Sequence, residues 1–422
     1  MTRGRAISAM ALLLAACSAT SPTAQTQSSE PSPGTSASAP TPNPTATPNP
    51  TATSAPTFSS ASGWQTVPDQ ASVQGVQFRS VVWTGKRFVA AGGALDAGGA
   101  FAYLDSPDGL VWHRQAWSSP GAYPTSLATG PLGVMAVGTI GIQPASWVST
   151  DGLTWPAEAG AFPMPKTGND LVTVTSVVAT DTGWLAVGRE DPDCNMNCGL
   201  APIRAIAWRS TDGLHWTRVP DQTSLEKAAM TAVTRGGPGF VAVGLAGTRA
   251  AAWTSAEGAT WSRAPDAPLF HELASADPSL WTTMSGVAAA HGIVAAVGFE
   301  GNGGAHGPAA RAWWSADGLT WAPAEGEDFA SGGEVDVRLE SVSATPSGFL
   351  AVGISTGGCR PGFWTSTDGR TWRCGGADPA FGNFYGYSAA ASRSVEVVVG
   401  YALLAQPPPE GLPGAVWWRP LP

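Results

Sequence analysis

Two arginines are placed to grip a carboxylate, Arg79 in the stretch Phe78-Arg79-Ser80-Val81 and Arg338 in Val337-Arg338-Leu339. A guanidinium offers parallel N–H donors in a planar fork that matches the two carboxylate oxygens. Glu190, Asp336 and Tyr385 complete the candidate set, with Asp96, Asp191, Glu300, Glu334 and Tyr387 in loops that the pattern brings to the same side. Hydrolysis of a glycoside needs two carboxyl groups flanking the bond, or one carboxyl beside another nucleophile. No spacing in the chain singles out one such combination, and solvated arginines at strand ends are the competing reading of Arg79 and Arg338. His113, His215, His271, His291 and His306 are scattered among different segments, whereas a zinc site wants converging ligands. No metal and no cofactor is implied.

The elements that carry these residues form a repeat. One series of short apolar runs ends in glycine each time: Phe88–Gly92, Val134–Gly138, Trp184–Gly188, Phe240–Gly244, Val294–Gly298, Phe349–Gly353 and Val397–Gly400. A second series, of the form Ser-x-Asp-Gly-x-x-Trp, follows the first six and ends at Trp112, Trp155, Trp216, Trp261, Trp321 and Trp372. The intervals between these tryptophans are 43, 61, 45, 60 and 51 residues, the length of a four-stranded propeller blade. Each unit reads as a meander: a short strand, the apolar strand, an alternating strand, then the Asp-Gly hairpin into a strand bearing Trp. The acidic residues of those turns are Asp108, Asp151, Asp212, Glu257, Asp317 and Asp368. Their carboxylates are expected to accept turn N–H groups while Gly supplies a positive φ and Trp packs between blades. Recurrence in every unit argues for that structural role over a metal site.

The seventh unit has a third strand around Val416-Trp417-Trp418 but no Asp-Gly turn after it. Its missing outer strand is expected from Gly63-Trp64-Gln65, which aligns with His215-Trp216-Thr217. Residues 61–422 are therefore predicted to be an all-β, seven-bladed β-propeller of four-stranded antiparallel blades, with six blades as the alternative. The first-to-second and third-to-fourth turns are short and share one face. The other connections are long and lie opposite, and such a decorated face is where a circular scaffold presents a binding surface. The aromatic stretch Phe381–Tyr387 reads as packing at a blade junction.

Among 422 residues, 52 Gly and 36 Pro with only 13% charged residues exclude a helical bundle or coiled coil. A net charge of −9 without a basic cluster excludes nucleic acid as a partner. Arg3 and Arg5 precede an apolar run, Ala6–Ala16, too short to span a bilayer and right for the core of an export signal. The run ends Leu14-Ala15-Ala16-Cys17, which resembles the bacterial lipobox. That resemblance implies a signal peptide over 1–16, lipidation of Cys17 and an exported, extracytoplasmic protein anchored to the cell membrane by that lipid. Residues 17–60, almost wholly Ser, Thr, Pro, Ala and Gln with Glu30 the only charge, read as a disordered tether. Outside the cytoplasm the remaining cysteines are expected as two disulfides, Cys194 with Cys198 and Cys359 with Cys374.

The Asp-Gly element resembles the Asp box of sialidase-like and sortilin-like propellers, displaced by one residue, since Gly here follows Asp directly. Phe78-Arg79-Ser80-Val81 resembles the signature of sialidases in its first two residues, which implies a carboxylate-binding role for Arg79. Three functions follow as expectations: a monomeric, membrane-anchored propeller binding a glycan or protein on its long-loop face; a divergent sialidase-like glycoside hydrolase; and an assembly factor for envelope complexes. The first is preferred because no coherent acid/base set is visible.

Overall fold

The computed structural model describes residues 63–421, apart from 69, 95–99, 116, 118, 120, 165–169, 193–202, 271–280, 302–307, 330–335, 357–358, 360–361, 376–382 and 404–413. The chain divides into Met1–Ser54 and Ala55–Pro422. Cys17, the signal and the tether, like Asp96, Cys194, Cys198 and Glu334, lie outside the described residues. No described helix is long and apolar enough to cross a membrane.

Seven antiparallel sheets succeed one another along the chain, and the protein is a seven-bladed β-propeller. Their first strands are Val76–Trp83, Ala122–Gly130, Leu171–Ala179, Ala228–Gly236, Trp281–Ala290, Val337–Thr345 and Asn383–Ala391, numbered here as blades 1 to 7. All seven line one central cavity of about 530 Å³. The glycine-closed apolar runs form the second strands and are buried on both faces, because the neighbouring blades cover them; in blade 4, Phe240 to Gly244 has no exposed position. Blade 7 closes the ring as expected: Gln65 and Thr66 pair with Trp418 and Trp417.

The core is seven inter-blade clusters, not one centre. That between blades 2 and 3, for example, joins Met135 and Val137 to Val174, Val177, Trp208 and Trp216. Burying wide aromatic faces between wedge-shaped layers explains why so many tryptophans are spaced one blade apart. Blade 6 departs from the expected four strands. Glu325–Gly326, in the segment leaving blade 5, adds a fifth strand parallel to Thr371–Trp372. Cys359 and Cys374 are joined in the same blade, with Cα atoms 5.5 Å apart.

The Asp-Gly turns are built as their chemistry requires. Asp151 Oδ1 accepts the N–H groups of Leu153 and Thr154 at 2.8 Å, and Gly152 adopts φ +72°. Asp317 accepts from Leu319 and Thr320 in the same way. Chiefly through the Thr154 and Thr320 N–H groups, both carboxyls are held at about 2, below their ordinary 3.8. A depressed carboxyl stabilises the fold fully above its unfolded value and loses that contribution as pH falls through its folded value. The gap in urea midpoint between the protein and its Asp317→Asn variant is therefore expected to stay constant down to about pH 4 and to close between pH 4 and 2.

Candidate functional site

Every first strand carries a β-bulge at the same place, directly after the residue paired with the glycine that closes the apolar run. In blade 6 the register slips between Leu339 and Ser341, and Gly353 sits against the kink. A Cβ on Gly353 would lie 1.9 Å from the Arg338 carbonyl oxygen, so only glycine permits the bulge there. The extra residue at each bulge is thereby added to a ring near the start of the inner strands, on the side of the long connections. Around the ring these residues are Arg79, Thr125, Thr175, Thr231, Ser285, Glu340 and Tyr387.

Four consecutive hydroxyl residues make one arc of that ring, and three of them staple blades together. The hydroxyls of Thr125, Thr175 and Thr231 each stand within hydrogen-bond distance of a carbonyl of their own blade and, nearer still, of one in the next blade, Val174, Met230 and Met284 respectively. Blades 6, 7 and 1 break the pattern with Glu340, Tyr387 and Arg79. These three gather one candidate cluster.

Arg79 is half-buried. Its Nε donates to the Tyr123 hydroxyl at 2.8 Å, and its guanidinium carbon stands 4.3 Å from the centre of the Tyr387 ring. Among the described residues it has no carboxylate within ion-pair distance. Tyr387 stacks in turn on Tyr385, and Tyr385 on Tyr401, at 4.8 and 5.4 Å. The Tyr385 hydroxyl donates to Glu340 Oε1 at 2.6 Å. Burial raises the Glu340 carboxyl above the usual range against the downward pull of the Tyr385 hydrogen bond, Arg338 and Arg79. Burial also pushes the hydroxyls of Tyr385 and Tyr387 well up, so both phenols stay protonated at neutral pH. Arg338 is already engaged: its Nε and Nη2 fork onto the two Asp336 oxygens at 3.1 and 3.2 Å. The outcome is a desolvated patch in which Arg79 makes no ion pair among the described residues, although the Glu340 carboxyl lies within reach of its charge.

The structure thus brings together four of the five candidates from sequence, Arg79, Arg338, Asp336 and Tyr385. Glu190 is elsewhere, in blade 3, ion-paired with Arg218 at 2.7 Å and Arg204 at 3.6 Å. Glu300 in blade 5 is likewise paired, with Arg311 at 3.1 Å. Sequence reasoning missed Glu340 altogether and gave Tyr387 no role beside Arg79. The signal was present: aligning the units on the residue before Ser80, Ser126, Ser176, Ser341 and Ser388 puts Arg, Thr, Thr, Glu and Tyr at one position. The stretch read as junction packing splits by strand alternation. Phe384 does pack at a junction, against Phe363 and Trp417, while Tyr385 and Tyr387 belong to the cluster.

No protein-family model and no curated protein matches the chain. Among solved structures, an alpha-L-arabinanase of Penicillium chrysogenum complexed with arabinobiose is 12% identical over 87% of this chain and 99% of that one, with a TM-score of 0.46. An alpha-L-arabinofuranosidase from Fusarium graminearum is 12% identical over 85% and 95%, at 0.42. A streptogramin B lyase is 8% identical over 81% and 96%, at 0.48. At such identities and scores nothing about this chain is concluded from them.

Proposed function

We propose that this chain is a membrane-anchored, extracytoplasmic binding propeller whose channel mouth takes a carboxylate-bearing ligand of sugar size. The observation that carries the reading is Arg79: a half-buried guanidinium, aligned by Tyr123 and Tyr387, that forms no ion pair with a described carboxylate. A charged group held in a desolvated cavity with one side unfilled favours a ligand of opposite charge. The Tyr385, Tyr387 and Tyr401 rings give the mouth an aromatic wall for the body of a sugar ring. The anchor rests on Cys17 and the segment before it, and the tether on residues 17–60. A glycan array probed with the full chain is the test: acidic glycans should be retained and neutral ones not, with retention lost in Arg79→Ala. Equal retention of neutral glycans, or an unaffected Arg79→Ala variant, would refute the reading.

A second reading is favoured by one observation, the 2.6 Å bond between the Tyr385 hydroxyl and Glu340. A carboxyl whose proton affinity is raised by burial, beside a phenol, can take the phenol's proton as that oxygen bonds to the anomeric carbon and the bond to the aglycone breaks, the departing oxygen taking a proton from water, as glycoside hydrolysis through a Tyr nucleophile requires. Turnover of fluorogenic sialosides or other glycosides, abolished in both Tyr385→Phe and Glu340→Gln, would support hydrolysis. Tight binding without turnover would leave the protein a binding module.

A further inference from the structure

All but one of the 19 tryptophans are buried or half-buried. The exception is Trp281, 37% exposed. It opens the first strand of blade 5, four residues before Ser285 of the bulge ring, and so stands on the side of the long connections. Two contacts fix it there. The next residue, Thr282, donates its N–H to the Thr248 carbonyl of blade 4 at 2.9 Å, and the indole meets Phe299 in a T-shaped contact, 5.2 Å between ring centres. From blade 6, Arg338 places its guanidinium carbon 5.4 Å from the centre of the same Phe299 ring while it forks onto Asp336. Asp336 comes four residues before Glu340, as Trp281 does before Ser285, so the two hold equivalent positions in adjacent blades. Thr356 grips Asp336 through both backbone groups: its Oγ1 accepts the Asp336 N–H at 2.8 Å and its own N–H donates to the Asp336 carbonyl at 2.9 Å. An exposed indole and a rigid, half-buried ion pair thus share the junction of blades 5 and 6.

We infer that this junction is a second sugar position, taking the neutral unit of an acidic oligosaccharide whose carboxylate-bearing unit lies at Arg79. The inference rests on the reading of Arg79 given above and extends it from a single sugar to a chain of them. Chemistry supports the neutral unit: a pyranose turns a C–H face to an indole, and its hydroxyls, each donor and acceptor at once, suit an Arg–Asp pair whose charges already cancel. Arg338 is spent on Asp336 and has no free charge to hold a second carboxylate. Placement supports the link between the two positions. Contacts run without a break from Arg79 through Tyr387, Tyr385 and Glu340, and Arg338 lies within reach of the Glu340 charge in the same strand. The ligand would cross blades 1, 7, 6 and 5. On the other arc of the ring, the hydroxyls of Thr125, Thr175 and Thr231 are engaged by carbonyls of the next blade.

The test is isothermal titration of the full chain with the methyl α-glycosides of N-acetylneuraminic and galacturonic acids, each against the same glycoside carrying lactose or rhamnose in place of methyl. In at least one pair the longer glycoside should bind about tenfold or more tightly than the methyl glycoside. Trp281→Ala should abolish that gain and change the affinity for the methyl glycoside less than about twofold, whereas Arg79→Ala should weaken both. Trp281 belongs to neither core cluster that flanks blade 5, so its loss leaves the packing between blades intact. The longer glycoside should also shield tryptophan fluorescence from acrylamide, and this effect should vanish in Trp281→Ala. Equal affinity within both pairs, or a gain that survives Trp281→Ala, would overturn the inference and leave the reading of Arg79 standing. No binding by any of the four glycosides, or binding indifferent to Arg79→Ala, would overturn that reading and this inference with it.

Discussion

Replacing Gly353 by alanine should cost at least about 3 kcal/mol of stability, although a single methyl is all that is added. The new Cβ would stand 1.9 Å from the Arg338 carbonyl oxygen and 3.0 Å from the Leu339 Cα, and both obstacles are backbone. No rotamer change relieves such a contact. The bulge must unwind, and with it the position of Glu340 in the ring. A control separates this steric effect from the general cost of losing a glycine. Gly292 has φ +77° in a surface turn with nothing within 4 Å of its missing Cβ, so Gly292→Ala should cost about 1 kcal/mol, from backbone conformation alone. Urea unfolding midpoints measure both. Similar small losses at the two positions would mean that the bulge is not a requirement of the fold.

Glu396→Ala should be the most damaging substitution at the ring closure, at about 3 kcal/mol. In the other six blades the residue four places before the closing glycine is Phe88, Val134, Trp184, Phe240, Val294 or Phe349, all apolar. Blade 7 puts a carboxylate there with 1% exposure and bonds it to both Nε and Nη2 of Arg419, whose guanidinium stacks 4.6 Å over Trp64. Arg419 in turn occupies the position of Ser315 and Ser366, which support the turn in blades 5 and 6. A buried ion pair thus replaces the Asp-Gly turn where the two ends of the domain meet. Removing the carboxylate alone strands a largely desolvated cation. The double change Glu396→Phe with Arg419→Ser restores the chemistry of the other blades and should recover most of the loss. A double variant no more stable than Glu396→Ala would contradict this account of the closure.

The repeat made most of the fold legible before any coordinates. Glycine-closed runs and Asp-Gly turns are local signals, fixed by φ and by hydrogen bonds within a few residues, and they recur often enough to count blades. The pairing of Gln65 with Trp418 was legible for a different reason: a ring leaves one strand unmatched at each end, and Trp64 aligned with the outer-strand tryptophans. The fifth strand of blade 6 was not, because Glu325–Gly326 pairs across blades and carries no alternation of its own. At the site, Arg79 and Tyr385 stood out by residue type, but what makes them neighbours is the bulge ring. Glu340 is separated from Tyr385 by 45 residues, and only the common position in each blade joins them. Glu190 stands out in the sequence by its place after an apolar run, but its pairing with Arg204 and Arg218 depends on cross-strand register that composition does not reveal.

The channel-mouth reading meets its most direct test in isothermal titration of the full chain with N-acetylneuraminic and galacturonic acids, each against its neutral alcohol analogue. At least one acid should bind saturably with one site, its neutral analogue should not, and Arg79→Ala should weaken the acid by about thirtyfold or more. Binding of acid and analogue with the same affinity, or an Arg79→Ala variant that binds as well as the unaltered protein, would contradict the claim that this arginine receives a carboxylate.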